Sequence, residues 1–166
     1  MSDISRRSFF QARLNKTKTV RPPWAVAEKQ FIELCNRCDD CISICPEKII
    51  IRGDGGFPEI NFINSGCEFC EDCLHVCKTK ALLQISDNTP AWSHKVKITQ
   101  QCLPLQNVIC RICFEACDEE AILFELVAGQ VAIPQINIDN CNGCGFCVAM
   151  CPVDSMVIDS GEESRA

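Results

Sequence analysis

The sequence predicts an α+β protein made of two tandem copies of one small module, each a short β-hairpin accompanied by short helices. Two observations carry most of that expectation. Sixteen cysteines fall into four groups of four along 166 residues, and the stretch joining the first two groups is similar to the stretch joining the last two. The third observation is compositional. With nine Phe, two Trp and no Tyr, large side chains alone cannot fill the interior, so something bound to cysteine must supply part of it.

Residues 1–28 read as a flexible basic arm. Over residues 1–30, seven Lys or Arg (Arg6, Arg7, Arg13, Lys16, Lys18, Arg21, Lys29) face only Asp3 and Glu28, a net of +5, which leaves −11 for the rest of a chain whose total is −6. So few charges suit a solvated segment that docks on a protein partner better than a nucleic-acid contact. Ser5-Arg6-Arg7-Ser8-Phe9-Phe10 is similar to a twin-arginine export signal, but the polar Gln11-Ala12-Arg13-Leu14-Asn15-Lys16-Thr17-Lys18 follows where such a signal places roughly 7 to 15 apolar residues. No run approaches the ~18 apolar residues of a membrane span. The expectation is therefore a cytoplasmic protein with no membrane span and no nucleic acid, its thiols reduced rather than paired as disulfides.

Residues 29–88 form the first module. Cys35, Cys38, Cys41 and Cys45 precede Pro46, the C-x2-C-x2-C-x3-C-P run of bacterial two-cluster ferredoxins. A strand at Ile49-Ile50-Ile51, a turn at Gly53-Asp54-Gly55-Gly56 and a strand at Phe57-Pro58-Glu59-Ile60-Asn61-Phe62 follow. Cys67, Cys70, Cys73 and Cys77 then repeat the spacing, with Lys78 in the proline position. Residues 89–101 read as a connector. Residues 102–160 form the second module. There Cys110, Cys113 and Cys117 keep the spacing of the last three ligands, while Cys102 stands upstream beyond seven intervening residues. Strands at Ala121-Ile122-Leu123-Phe124 and Ile133-Pro134-Gln135-Ile136-Asn137-Ile138 flank Gly129, and Cys141, Cys144, Cys147 and Cys151 precede Pro152. Residues 161–166 are a tail. Twenty-one residues separate Cys45 from Cys67 and twenty-three separate Cys117 from Cys141, so the chain reads as an internal duplication.

Cysteines at this spacing suit a cuboidal 4Fe-4S cluster. Three thiolates two residues apart lie on a loop that curls round the cluster and turns its backbone N–H groups toward sulfur. The fourth, three residues on, points into the opening of a helix and reaches a second cluster. Under that crosswise rule, cluster 1 takes Cys35, Cys38, Cys41 and Cys77, and cluster 2 takes Cys67, Cys70, Cys73 and Cys45. Cluster 3 takes Cys102, Cys110, Cys113 and Cys151, and cluster 4 takes Cys141, Cys144, Cys147 and Cys117. No cysteine is left over, which argues for Cys102 as a ligand; as a buried structural thiol it would leave three clusters instead of four. Zinc usually takes two C-x2-C pairs on separate knuckles, and three cysteines within seven residues crowd one ion. Ile42, Ile44, Phe146, Val148 and Met150 read as packing that excludes water from the clusters. His75, inside the second motif, reads as a partly exposed neighbour; His94 is the other histidine. The chain has no phosphate-binding glycine loop, dinucleotide turn or nucleophile with its base, so no enzymatic activity is expected. Gly143 and Gly145 are explained by close backbone approach to a cluster.

Beyond the cysteines, Ser5-Arg6-Arg7, Arg21-Pro22-Pro23-Trp24, Gly55-Gly56-Phe57-Pro58, Ala91-Trp92, Cys110-Arg111-Ile112-Cys113 and Cys141-Asn142-Gly143-Cys144-Gly145 give the chain a likeness that runs over nearly its whole length. It closely resembles the NapF family, the ferredoxin-type accessory proteins encoded with periplasmic nitrate reductases. Lys78 and Asp118 depart from the proline that follows simple ferredoxin motifs. The resemblance implies a cytoplasmic protein that binds the precursor of the nitrate reductase catalytic subunit and assists its maturation before export. That subunit carries a 4Fe-4S cluster and a molybdenum cofactor, so a role in supplying or reducing its cluster follows chemically. The alternative is an electron-transfer ferredoxin or a wire subunit in a redox chain.

Overall fold

The computed structural model describes residues 19–86 and 89–159. In chain order the elements are α1 (Glu28–Leu34), α2 (Asp40–Ile44), β1 (Ile50–Arg52), β2 (Pro58–Ile60), α3 (Asp72–Val76), β3 (Lys95–Ile98), α4 (Ile112–Glu115), β4 (Ile122–Glu125), β5 (Ile133–Ile136), α5 (Phe146–Ala149) and β6 (Met156–Asp159). Short helices and small antiparallel strand pairs make the fold α+β.

The duplication is visible bond by bond. β1 pairs with β2, setting Ile50 opposite Ile60 and Arg52 opposite Pro58; β4 pairs with β5, setting Ile122 opposite Ile136 and Phe124 opposite Pro134. Each proline stands on a two-stranded hairpin, where a strand always has a free edge and a missing N–H can face outward. Just past each hairpin an asparagine closes the same loop. Asn61 N–H donates to Ile49 O at 2.8 Å and Asn137 N–H to Ala121 O at 2.7 Å, while their side-chain oxygens accept from Ile63 N–H and Asp139 N–H.

The turn after each cysteine group is also the same. Lys48, Lys80, Glu120 and Asp154 each donate their N–H to the last cysteine of the preceding group, and all four have φ between 49° and 59°. Lys78 and Asp118 therefore change nothing in this turn. The bond three residues back and the left-handed residue make it, and proline at the first position only presets one angle.

Two parts of the expected domain plan lie elsewhere. The last ten residues of the predicted arm are seated in the first module. Pro22 and Pro23 are fully buried, Trp24 is 7% exposed, and the segment bridges Ala25 to Leu82 through Val26 N–H to Ala81 O and Leu83 N–H to Trp24 O. Arg21 holds the entry: its guanidinium donates twice to Glu28, once to Pro58 O, and lies over the Phe31 and Phe57 rings. The ladder stops at Trp24 because neither proline before it has an N–H to give. Residues 1–18 of that arm, with Ser5-Arg6-Arg7, and the 161–166 tail lie outside the described residues.

The predicted connector is likewise part of the fold. Lys95–Ile98 is β3, which pairs antiparallel with β6 at the far end of the second module, Lys95 opposite Asp159 and Ile98 opposite Met156. Just before it, Ala91 O accepts from Trp24 N–H and the Trp92 indole donates to Arg21 O. The connector thus seals the first module and begins the second.

Candidate metal centres

Three of the four cysteine helices are entered from a loop bent by alternate left-handed residues. Arg37 and Asp39 flank Cys38, Phe69 and Glu71 flank Cys70, and Gly143 and Gly145 flank Cys144, all with positive φ. Such alternation turns successive backbone N–H groups to one side and makes a concavity that suits anionic sulfur. The third group lacks this pattern. Cys102 instead caps a short 3-10 turn, Leu103–Gln106, which ends at left-handed Asn107 and folds Val108 back onto Leu103 O. That turn takes up the extra residues and returns the chain to Cys110.

The sixteen thiols line four cavities, four to each. Site one holds Cys35, Cys38, Cys41 and Cys77 against Phe31, Pro58 and Leu82. Site two holds Cys45, Cys67, Cys70 and Cys73 against Trp24, Ile49, Ile50 and Phe69. Site three holds Cys102, Cys110, Cys113 and Cys151 against Leu103, Pro104 and Met156. Site four holds Cys117, Cys141, Cys144 and Cys147 against Val96, Ala121, Ile122 and Ile136. Every site draws three cysteines from one group and one from another. Hairpin residues Ile49 and Ile50 wall site two as Ala121 and Ile122 wall site four.

Backbone N–H groups point at sulfur. Phe69 N–H donates to Cys67 Sγ at 3.4 Å, Leu82 N–H to Cys77 Sγ at 3.4 Å, and Ser155 N–H to Cys151 Sγ at 3.2 Å, where the Ser155 hydroxyl also lies 3.2 Å away. Burial is the leading influence on several of these thiols. It pushes Cys67, Cys73 and Cys147 up to about 12, and Cys41 and Cys113 up to about 11, with neighbouring thiols adding to the shift. At Cys151 burial also raises, but the Ser155 hydroxyl and backbone donors outweigh it and bring the thiol below its usual value.

These residues fit a 4Fe-4S cluster. Thiols so reluctant to ionise need a strongly positive partner before they become thiolate ligands. Among the described residues, no group of three or more His, Cys, Asp or Glu side chains is placed to hold a single metal ion. Trp24, a wall of site two, buries an indole N–H that has no hydrogen-bond partner within the protein, a donor available to sulfide.

The neighbours divide. Ile42, Phe146 and Val148 are half-buried, and Val148 packs against the apolar cores of both modules. Ile44 and Met150, expected to pack on clusters, are instead 45% and 56% exposed, because each closes a helix of one turn or so whose inner face is already taken by cysteine. His75 is exposed. His94, which sequence left without a role, is 6% exposed, with Nε2 3.0 Å from Gly143 O and its ring against Trp92 and Phe62. Nothing local announces it, since its partner stands far along the chain.

Comparison with known proteins adds the relatives. The family described as "4Fe-4S dicluster domain" matches residues 34–81 and 108–155. Two such domains and sixteen cysteines fit four 4Fe-4S clusters. The ferredoxin-type protein NapF of Haemophilus influenzae is 46% identical over 146 residues, covering 88% of this chain and 82% of that protein. NapF of Escherichia coli K12 is 39% identical over 158 residues, 95% of each chain. The ferredoxin-type protein NapG of the same strain is 31% identical across 84% of this chain and 68% of its own length. Among the described residues, no helix is long and apolar enough to cross a membrane.

Proposed function

The chain belongs to the NapF family of ferredoxin-type proteins, and from that premise we propose that it is a cytoplasmic accessory protein for the periplasmic nitrate reductase. It binds the precursor of the catalytic subunit and assists maturation before export, supplying or reducing that subunit's own iron–sulfur cluster. The observation that supports this reading is the set of four cavities, each with four thiols and apolar walls, in a chain whose relatives bear ferredoxin-type names. In each cavity those four cysteines are the cluster ligands, Cys102 included. The clusters supply one-electron chemistry; the protein supplies thiolates, N–H donors to sulfur, and dry walls that tune potential. It is an electron-handling partner and not an enzyme.

The test is capture of the reductase subunit. Tagged protein, purified without oxygen, is expected to retain the precursor with its leader far better than the mature subunit. Equal retention of both forms, or of neither, would rule out a maturation role and leave the electron-transfer ferredoxin. That second reading is favoured by one observation, a direct backbone bond between a cysteine of each module.

A further inference from the structure

The two modules meet where the loops of sites two and four lie. Cys67 N–H donates to Cys144 O at 2.7 Å, so one cysteine of site two is bonded through the backbone to one of site four. Two glycines allow this approach. A Cβ on Gly66 would fall 2.7 Å from the backbone nitrogen of Phe146 and into its ring, and a backbone atom cannot swing aside as a side-chain tip can. A Cβ on Gly145, at φ +86°, would enter the Phe62 ring. Phe62 in turn stands edge-on to Trp92 and His94, and His94 bonds the Gly143 carbonyl beside Cys144, so the seam is packed on both sides. Within each module the sites are already tied. Cys45 and Cys77 are exchanged between sites one and two, Cys117 and Cys151 between sites three and four, and α2 packs on α3 as α4 packs on α5.

We infer that Gly66 and Gly145 are positioning residues that hold sites two and four together across the seam, so that the four sites form one unbroken series in the order one, two, four, three. This rests on the four-cluster reading and goes beyond it, since two independent two-cluster modules need no such seam. Loaded sites side by side can pass a single electron, one cluster oxidised as the next is reduced, with no bond broken and no proton moved. The series then connects a one-electron reducing protein at one end to an oxidised iron–sulfur centre of a partner at the other.

The experiment isolates the seam. Cys38→Ser together with Cys110→Ser removes sites one and three and leaves one site from each module, with about eight iron per chain. After dithionite reduction, its paramagnetic resonance spectrum is expected to show spin–spin splitting between the two remaining clusters. Two independent spectra would overturn the series. Adding Gly66→Ala is expected to reduce the splitting by half or more at unchanged iron content; splitting unchanged with Gly66→Ala and with Gly145→Ala would overturn the positioning role. Should a glycine variant lose its iron, Phe146→Ala, which loosens the same seam without a clash, is expected to narrow the splitting instead, and no change there counts against the role. The unsubstituted chain's iron separates the two readings, because a value well short of about sixteen sinks the four-cluster reading itself.

Discussion

Burial holds Cys67, Cys73 and Cys147 at about 12, so at neutral pH these thiols carry protons until a cluster takes their place. Loading must expel those protons, and thiol pKa values raised this way make iron binding tighter as pH rises and weaker as it falls. Reconstitution with iron and hydrosulfide in weakly buffered solution is expected to release protons from the thiols on top of those that hydrosulfide gives up on becoming cluster sulfide; release matching the hydrosulfide alone would mean that the thiols were already ionised. Cys102 is the informative single position. It lines site three with Cys110, Cys113 and Cys151, so Cys102→Ser is expected to remove about four iron per chain and leave the first module's spectrum as it was. Unchanged iron would make Cys102 a buried thiol and nothing more. Trp24 offers a subtler test. Hydrogen bonds to cluster sulfur raise reduction potential by stabilising the added negative charge. Trp24→Phe keeps an aromatic ring in the wall of site two while removing the unpartnered N–H along with part of the indole, so iron content is expected to hold while one cluster becomes harder to reduce, read by redox titration.

At the scale of elements, the entry segment decides how the first module closes. Arg21 is 14% exposed at its side chain, bonds Pro58 O as well as Glu28, and covers two phenylalanine rings. Its partner Glu28 is 54% exposed, so the ion pair itself contributes little, and the carbonyl bond and the stacking carry most of the effect. Arg21→Ala is expected to cost about 1–3 kcal/mol and lower the thermal midpoint of the loaded protein. Truncation separates arm from fold more sharply. Removing residues 1–18 is expected to leave all four clusters in place. Removing 1–28 takes away Pro22, Pro23 and Trp24, and should cost the first module its iron and, through the seam, loosen the second. The sequence made the four cysteine groups, both hairpins and the duplication legible, because their signals are local: a fixed spacing, an apolar run, a glycine turn. Arg21-Pro22-Pro23-Trp24 reads as an exposed tail for the opposite reason, since Pro58, Leu83 and Ala91, which it bonds, share no local pattern with it. Lys95-Val96-Lys97-Ile98 does alternate as a strand should, yet its partner Met156–Asp159 lies at the other end of the module. The third cysteine group was irregular on paper, and it is irregular in space because a 3-10 turn replaces the left-handed loop used by the other three.

For the molecule as a whole, the secondary structure is too slight to stand by itself. Its longest described helix has 7 residues and the four cysteine helices have 4 or 5, against the roughly 12–15 that an isolated helix needs in water. Each described sheet has two strands, and a lone two-stranded hairpin is marginal. Few side chains can make up the difference: the second module's main buried apolar cluster is Val96, Ile122, Cys147 and Met156. The thiol-lined cavities therefore occupy the place where a larger protein would put leucine and phenylalanine, and whatever fills them is the structural centre of each module. Stripping iron anaerobically with a chelator is then expected to abolish the visible cluster absorption and the far-ultraviolet dichroism in step, with both returning on reconstitution with iron and sulfide. If the dichroism survived complete loss of iron, folding would have to come from the side chains alone, and the clusters would be passengers in a preformed shell. Because the seam joins site two to site four, removing only the second module's clusters should also loosen the first module, where a pair of independent modules would show no such dependence.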